Sequence, residues 1–188
     1  MTYLIINGNP KKTGLCKSVM DEILRGATDG GAQAQVLQIG NMPRCRCCGD
    51  GWGICFEQHI CAFGGDGFNE AQSAVKSADM LCIITPVYWS DMSEQLKAFL
   101  DRLRRCENFL NRYRGALSGK PVLLAASAGG SGGGILPCLN QMESFCRQTG
   151  ALVFDHIGVH RWNHDYMRAA AYAAAKAMAE GRKVWETI

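Results

Sequence analysis

Short apolar runs alternate with longer segments of mixed polarity along the whole chain. The run "MLCIITP" at 80–86 is almost continuously apolar, which is typical of a parallel strand covered on both faces. Four similar runs predict the other strands: "YLIIN" (3–7), "AQVLQI" (34–39), "PVLLAAS" (121–127) and "ALVFDHIGV" (151–159). The hydrophobic pattern therefore predicts five strands.

The segments between these runs carry apolar residues at helical spacing. In 93–105, for example, Leu96, Phe99, Leu100 and Leu103 recur every three or four residues and would form one face of a helix. The same spacing predicts helices at 14–27, 67–77, 134–148 and 165–181. Strand and helix alternate five times, which predicts an α/β fold: a doubly wound parallel sheet with helices on both faces. In such sheets ligands bind outside the carboxyl ends of the strands.

Composition and charge narrow the possible functions. The 188 residues are 47% hydrophobic with a net charge of +3, as expected of a single domain over 1–188 with its own core. No dense basic stripe points to nucleic acid, and no apolar run approaches the roughly 18 residues of a membrane span. The chain starts directly with a strand and lacks a leader-like pattern. We therefore expect a cytoplasmic protein, whose thiols stay reduced.

The loop after the first strand, "NGNPKKTGLCKS" (7–18), has the features of an anion site. Gly8 and Pro10 end the strand, Gly14 opens the helix, and Lys11 and Lys12 add positive charge. Unpaired N–H groups at a helix start attract phosphate. The spacing does not match a Walker A loop or G-x-G-x-x-G. The alternative is an ordinary turn with a helix cap.

Two further loops at the same edge suit a flat ligand. "TPVYWSDMSEQLKAFLDR" (85–102) places Tyr88 and Trp89 at the end of a buried strand, where they could stack on a ring, pack on a helix or contact a second subunit. "SAGGSGGGI" (127–135) has five glycines among residues 129–134, which lets its backbone approach a ligand closely. Together the three loops predict FMN at the switch point of a flavodoxin-like sheet.

With these motifs the sequence resembles the flavodoxin-like NAD(P)H-dependent FMN reductase family. The match is specific along "TPVYWSDMSEQLKAFLDR", good at "ASAGGSGGG", and partial in the first loop, where Asn9 and Cys16 replace the usual hydroxyl residues. The resemblance covers about 1–160. It implies a five-stranded parallel sheet of order 2-1-3-4-5 and a homodimer or higher homo-oligomer. It also implies an enzyme in which FMN takes electrons from NAD(P)H and passes them to a quinone, flavin, nitro or azo compound, or similar small acceptor.

The resemblance also assigns the flavin contacts, and it assigns no catalytic side chain. Phosphate contacts fall on Asn9, Lys11, Gly14, Leu15 and Cys16. Ring contacts fall on Pro86, Val87, Tyr88, Trp89 and Ser90. Ring or ribityl contacts fall on Ser127, Ala128, Gly129, Gly130, Gly132 and Gly133. Two other functions stay open: an electron-transfer flavoprotein, possibly with an iron–sulfur cluster, and a flavin-binding module without catalysis.

Half of the ten cysteines lie in "PRCRCCGDGWGICFEQHIC" (43–61), within a loop excursion at about 41–66. Iron–sulfur flavoproteins of this superfamily hold a cluster in such a loop, and Cys45-x2-Cys48 and Cys55-x5-Cys61 match the outer parts of their motif. The third ligand position falls on Gly51, however, so we predict no metal and reduced thiols close to the active site. A [4Fe–4S] cluster or zinc at Cys45, Cys48, Cys55 and Cys61 is the alternative. Trp52, among glycines, is predicted to cover the flavin or a dimer neighbour.

The last strand ends in "VHRWNHDY" (159–166), which concentrates His160, Arg161, Trp162 and His164. We expect this segment to pack on the end of the sheet. The alternative is that Arg161 reaches the active-site edge and contacts a phosphate of the nicotinamide donor. Cys82, Cys138 and Cys146 fall on apolar positions of predicted strands and helices, so they are predicted to be core thiols.

Overall fold

A computed structural model describes residues 1–49, 52–108 and 115–182. Gly51, which falls at the third position of the cysteine motif, lies outside the described residues. The strands are β1 (Thr2–Asn7), β2 (Gln33–Gln38), β3 (Met80–Pro86), β4 (Pro121–Ala128) and β5 (Leu152–His160). The α-helices are α1 (Leu15–Asp29), α2 (Phe68–Ser77), α3 (Glu94–Cys106), α4 (Ile135–Thr149) and α5 (His164–Ala179). A short 3₁₀ turn, Gly64–Asp66, precedes α2.

The five strands form one parallel sheet of order β2-β1-β3-β4-β5, which confirms the predicted topology. In the centre, Ile5 of β1 is in register with Val36 of β2 on one side and with Cys82 of β3 on the other. β3 and β4 are buried along almost their full length, as their continuous apolar sequences predict. β2 and β5 form the edges and are more exposed.

Helices cover both faces of the sheet, as predicted. On one face α2 and α3 meet through Phe68 and Phe99, whose ring centroids are 5.7 Å apart. On the other face α1 packs against α5. There a Cβ at Gly26 would overlap the carbonyl oxygen of Tyr172, so only glycine allows the two helices to lie this close.

The predicted core thiols are confirmed, since Cys82, Cys138 and Cys146 are completely buried. Burial raises the pKa of Cys138 and of Cys146 to about 12. The predicted element boundaries agree with the structure to within one or two residues. Among the helices of the described residues, none has the length and apolarity that crossing a membrane requires.

Candidate functional site

The loops after β1 and β3 are joined by a buried hydrogen-bond network around Ser93. Its hydroxyl donates to the carbonyl of Gly8 at 2.6 Å and accepts the N–H of Leu96 at 3.3 Å, so it also caps α3. The N–H of Ser93 donates to Oγ1 of Thr85 at 2.9 Å. A Cβ on Gly8 would lie 2.6 Å from Cβ of Leu96, which explains the need for glycine at the exit of β1. The start of α3 thus fixes the first loop.

A second network fixes the same loop from the side of β2. The side chain of Asn7 accepts the N–H of Asn9 at 3.0 Å and donates to Gln38 at 2.7 Å. Gln38 in turn donates to the carbonyl of Asn9 at 2.9 Å. The Asn9 side chain accepts the N–H of Lys11 at 3.1 Å, but its Nδ2 is buried without a hydrogen-bond partner among the described residues. A buried amide N–H₂ without an acceptor is costly, so this group is suited to an anionic ligand.

The loop after β3 forms a tight turn with unusual backbone geometry. Tyr88 and Asp91 pair through two backbone hydrogen bonds of 2.8 and 3.0 Å. The two central residues, Trp89 and Ser90, both have positive φ, at 50° and 66°, as in a type I′ turn that normally takes Asn or Gly. The Trp89 side chain is 101% exposed. A bulky residue held in a strained, fully exposed position gives nothing to the core, which points to a role in binding.

The glycine loop after β4 contacts this turn where Gly134 lies against Ser90. Apart from adjacent residues, no atom in the described part of the chain lies within 4 Å of the position that a Cβ would take at Gly129, Gly130 or Gly133, so their backbone borders open space. The carbonyl of Gly130 accepts the N–H of Arg161 at 3.3 Å. Gly132 has a φ of 91°, and a Cβ there would lie 2.8 Å from the His160 ring. The loops after β4 and β5 are therefore in contact.

The predicted phosphate contacts divide between two clefts. Asn9 and Lys11 line a cleft of about 560 Å³ that extends toward the end of β2 and also receives Lys12 and Lys17. Gly14 and Leu15 line a groove of about 510 Å³. The other residues of this groove are Ser18, Gly129, Arg161 and His164.

Cys16 faces away from both clefts. Its side chain is buried in the core between α1 and the sheet, and burial raises the pKa of its thiol to about 12. Only the backbone of Cys16 is therefore able to meet a phosphate. No side chain of the described residues caps α1 at Gly14, so the N–H groups of its first turn, beside the groove that Gly14 and Leu15 line, have no capping partner there.

The predicted ring contacts share one edge of the sheet. The N–H of Val87 donates to the carbonyl of Ser127 at 2.8 Å, which joins the ends of β3 and β4. Gly134 lies against Ser90, since a Cβ at this glycine would be 2.8 Å from Cα of Ser90. Ser127 and Ala128 are buried, so they contribute mainly backbone. These contacts bring together the loops that contain Pro86, Val87, Tyr88, Trp89, Ser90, Ser127, Ala128, Gly129, Gly130, Gly132 and Gly133.

The polar residues that hold these loops were not predicted from the sequence. Ser93 has a recognisable signal, because a serine directly before an apolar helical pattern favours an N-cap. Asn7 is a polar residue at the end of an otherwise apolar strand. Thr85 and Gln38 carry no such signal, since their partners are distant in the sequence.

The cysteine loop lies beside α3, at the end away from Ser93. Cys45, Cys48, Cys55 and Cys61 line one small cavity of about 20 Å³, with Cys106 and several arginines. This is about the space of one water molecule. All ten cysteines have free thiols. Within residues 1–49, 52–108 and 115–182, no three His, Cys, Asp or Glu side chains lie close enough together to hold a single metal ion.

Trp52 packs within the cysteine loop. Its ring is 5.4 Å from that of Phe56, and the guanidinium of Arg105 lies 5.0 Å from its centroid. Arg105 is twelve residues beyond Ser93 on the same helix, or roughly 18 Å along its axis. Trp52 thus lies near the end of α3 that is away from Ser93, and its predicted place over the flavin stays a prediction. Its contact with a second copy stays a prediction.

The features of the three loops fit FMN. The partnerless Nδ2 of Asn9, the uncapped start of α1 and the nearby lysines suit a phosphate. The exposed aromatic turn and the bare glycine backbone, whose loops meet at Ser90 and Gly134, suit a planar ring system.

Comparisons with known proteins agree with this arrangement. The model of the NADPH-dependent FMN reductase family matches residues 1–164. An iron–sulfur flavoprotein from Methanosarcina thermophila is 30% identical over 166 residues, which cover 84% of this chain and 81% of that protein. Among solved structures, an NADH:FMN oxidoreductase has a TM-score of 0.67 at 18% identity and covers 98% of this chain and 91% of its own. An archaeal flavodoxin has a TM-score of 0.63 at 14% identity, with coverage of 96% and 98%.

The two structural likenesses confirm the flavodoxin-like fold. The family match spans all three loops and confirms the resemblance and the predicted enzyme class. By its sequence and its fold, this chain belongs to the NADPH-dependent FMN reductase family.

Proposed function

We propose that the protein is an FMN-dependent oxidoreductase that carries electrons from NAD(P)H to a small organic acceptor. The observation that carries the proposal is the strained, fully exposed Trp89 turn, which the glycine loop after β4 contacts where Gly134 lies against Ser90. Neither feature stabilises the protein alone, and a planar ligand between them accounts for both.

The phosphate is proposed to bind at the first turn of α1. The N–H groups of Leu15 and Cys16 are the donors, and the helix dipole adds to their attraction. Arg161 lines the same groove, so the segment after β5 takes part in the site and does more than pack on the end of the sheet. Lys11 and the partnerless amide of Asn9 supply further donors from the neighbouring cleft.

The flavin ring is proposed to stack on the turn at Tyr88 and Trp89. On the opposite side, glycines keep side chains away and present backbone N–H groups to the ring edge. Bound FMN would supply the two-electron chemistry that connects NAD(P)H as donor with a small organic acceptor such as a quinone. The chain's own residues orient the ring and leave one face accessible to donor and acceptor in turn.

Steady-state oxidation of NADPH and NADH by FMN-loaded protein tests this proposal, with benzoquinone, a nitroaromatic and free FMN as acceptors. We expect turnover that depends on both FMN and the acceptor. A protein that binds FMN tightly but oxidises neither donor with any acceptor would instead be a carrier or a binding module.

A second candidate function, an electron-transfer flavoprotein with an iron–sulfur cluster, is favoured by one specific observation. Four cysteines in a spacing close to that of cluster proteins line a single cavity, and the relative from Methanosarcina thermophila is named an iron–sulfur flavoprotein. Sulfurs that bind one zinc ion at about 2.3 Å must nearly touch. The ligands of a cluster are further apart, because iron and sulfide lie between them. Cysteine sulfurs are the ligands that both clusters and zinc take, but among the described residues these four do not form a group that could hold a single metal ion.

Iron and acid-labile sulfide in anaerobically purified protein decide between these functions. About four of each per chain would establish the cluster and overturn our prediction of a metal-free loop. We also propose a homodimer, since Trp89 is fully exposed in one chain and a second copy could close the flavin site. Light scattering of the FMN-loaded protein tests this.

A further inference from the structure

A large part of the cleft beside the loop after β1 has no role in the proposed binding of FMN. Asn9 and Lys11 line this cleft and are proposed contacts of the FMN phosphate, but the cleft also extends past the end of β2 to Asn41 and Gln95. Its volume is about 560 Å³, within the range of roughly 300–1,000 Å³ that is usual for small-molecule sites. The cleft is therefore large enough to hold a ligand of its own beside the flavin.

The charge of this cleft favours an anion. Lys11, Lys12 and Lys17 line it, and its lining contains no Asp or Glu among the described residues. Lys17 pairs with Asp21 on the next turn of α1, so the positive potential comes mainly from Lys11 and Lys12. Lysine ammonium groups are common partners of phosphate. Because Lys11 is already a proposed contact of FMN, Lys12 is the cation available to a second phosphate group.

The cleft also contains a polar group that a phosphate cannot satisfy. Gln95, the second residue of α3, donates from Nε2 to Oδ1 of Asn41 at 2.7 Å, and this hydrogen bond fixes the direction of its amide. Its Oε1 is buried and has no donor among the described residues. By contrast, the amides of Asn7 and Gln38 in the same cleft are paired with each other at 2.7 Å. An unpaired acceptor requires an O–H or N–H group, such as a ribose hydroxyl or the amino group of adenine.

We propose that this cleft binds the adenosine end of the nicotinamide donor, with Lys12 at the 2′-phosphate and Gln95 at a hydroxyl or amino group of the adenosine. A ligand that combines a phosphate with hydrogen-bond donors is a nucleotide, and the assignment of this nucleotide as NADPH rests on the proposed function. The site favours NADPH over NADH, because only NADPH carries the 2′-phosphate.

The position of Gln95 in the chain supports this assignment. The exposed turn at Trp89 leads into α3, and Gln95 follows Trp89 by six residues. Six residues span at most roughly 20 Å, which is within reach of an extended dinucleotide. One donor molecule is therefore able to place its nicotinamide at the flavin and its adenosine in the cleft.

Calorimetric titration of the FMN-saturated protein with 2′,5′-ADP and with 5′-AMP tests this site. These two nucleotides correspond to the adenosine ends of NADPH and NADH. One variant combines Lys12→Gln with Lys17→Gln and so removes two cations of the cleft. A second variant, Gln95→Met, removes the unpaired acceptor. The KM values for NADPH and NADH are measured on the same proteins.

The matched control combines Lys97→Gln with Lys176→Gln. It removes the same amount of positive charge from the protein, but neither lysine is part of the cleft. Each of them also pairs with a carboxylate four residues further along its helix, as Lys17 does. A loss of affinity in the double lysine variant alone is therefore a property of the cleft and not of the net charge.

We expect 2′,5′-ADP to bind the wild-type protein at least tenfold more tightly than 5′-AMP, since hydrogen bonds to charged groups are the stronger ones. The double lysine variant should lose most of this difference, and its KM for NADPH should rise at least fivefold more than its KM for NADH. Gln95→Met should weaken both nucleotides by a similar factor, because both contain adenosine.

Equal affinity of the wild-type protein for the two nucleotides would overturn the site, and so would an equal loss in the control. If 2′,5′-ADP binds only the FMN-free protein and FMN displaces it, the cleft belongs to the FMN phosphate and the proposal is wrong. None of these outcomes affects the proposed reductase activity, which oxidation of either donor tests separately. Conversely, a protein that oxidises neither donor but binds 2′,5′-ADP as expected would overturn the reductase and keep the nucleotide site.

Discussion

Trp89 is expected to lower the free energy of unfolding and to raise the affinity for FMN. The substitution Trp89→Asn separates these two effects. A residue other than glycine in the left-handed region costs roughly 1–2 kcal/mol, and asparagine tolerates this region far better. The side chain is 101% exposed, so its loss removes no buried apolar area. We therefore expect the free energy of unfolding of the FMN-free protein to rise by about 0.5–1 kcal/mol.

The same substitution should weaken the binding of FMN. Stacking of an aromatic side chain on a flat heterocycle contributes about 1–3 kcal/mol, and about 1.4 kcal/mol corresponds to tenfold in affinity. We expect the Kd of FMN to rise at least fivefold. Urea unfolding of the FMN-free protein measures the first effect, since bound flavin would mask it. Quenching of FMN fluorescence measures the second.

Trp162→Asn is the matched control for this experiment. Trp162 is also largely exposed, at 72%, but is not among the residues with positive φ. Its replacement should not stabilise the FMN-free protein. If Trp89→Asn lowers the free energy of unfolding, the turn is not strained in the way we infer. If it leaves the affinity for FMN unchanged, Trp89 is not part of the flavin site.

Three further predictions concern the stability of the fold. Burial raises the pKa of Cys138 and Cys146 from 9.0 to about 12. The two protonated thiols therefore make their full contribution to the free energy of unfolding below pH 9, and this contribution is lost as the pH rises toward 12. Urea titrations under reducing conditions should therefore show that the free energy of unfolding falls by about 1 kcal/mol per thiol between pH 9 and 10. In the variant Cys146→Ala this fall with pH should be smaller. Glu107 is fully buried, and its carboxylate accepts hydrogen bonds from the side chain of Gln72 at 2.8 Å and from the N–H of Ala116 at 2.9 Å. Because Glu107→Ala leaves these donors unpaired, it should lower the free energy of unfolding in urea by about 3 kcal/mol. A loss below 1 kcal/mol would show that water replaces the carboxylate. The hydroxyl of Tyr3 is buried without a hydrogen-bond partner among the described residues. Because Tyr3→Phe removes this hydroxyl, it should raise the midpoint of thermal unfolding. A lower midpoint would mean that the hydroxyl has a partner.

The strands and helices were predictable because burial imposes a regular pattern on the sequence. β3 and β4 lie between two layers of helices, so nearly every position is apolar. The three loops were predictable because each contains residues that have no use inside a fold, such as adjacent exposed aromatics or a run of glycines. Their meeting at one edge follows from the direction of parallel strands.

Cys16 shows where resemblance alone was insufficient. The motif aligns it with a hydroxyl residue, but Cys16, Val19, Met20 and Ile23 recur at helical spacing and are all buried. The hydrophobic pattern of α1 thus already placed the thiol in the core. Trp52 is different, because nothing in the sequence shows how far along α3 the cysteine loop extends. Its contact with Arg105 depends on the path of a long segment without regular structure.

Helix α3 contacts the loop after β1 at its start and the cysteine loop toward its end, so it holds the two loops at different places along its length. Ser93 fixes the first loop at the start of the helix, and Arg102 fixes the cysteine loop nine residues later, roughly 14 Å along the axis. Effects of substitutions this far apart are usually additive. A change at Arg102 should therefore alter the thiol cavity and leave the loop after β1 intact.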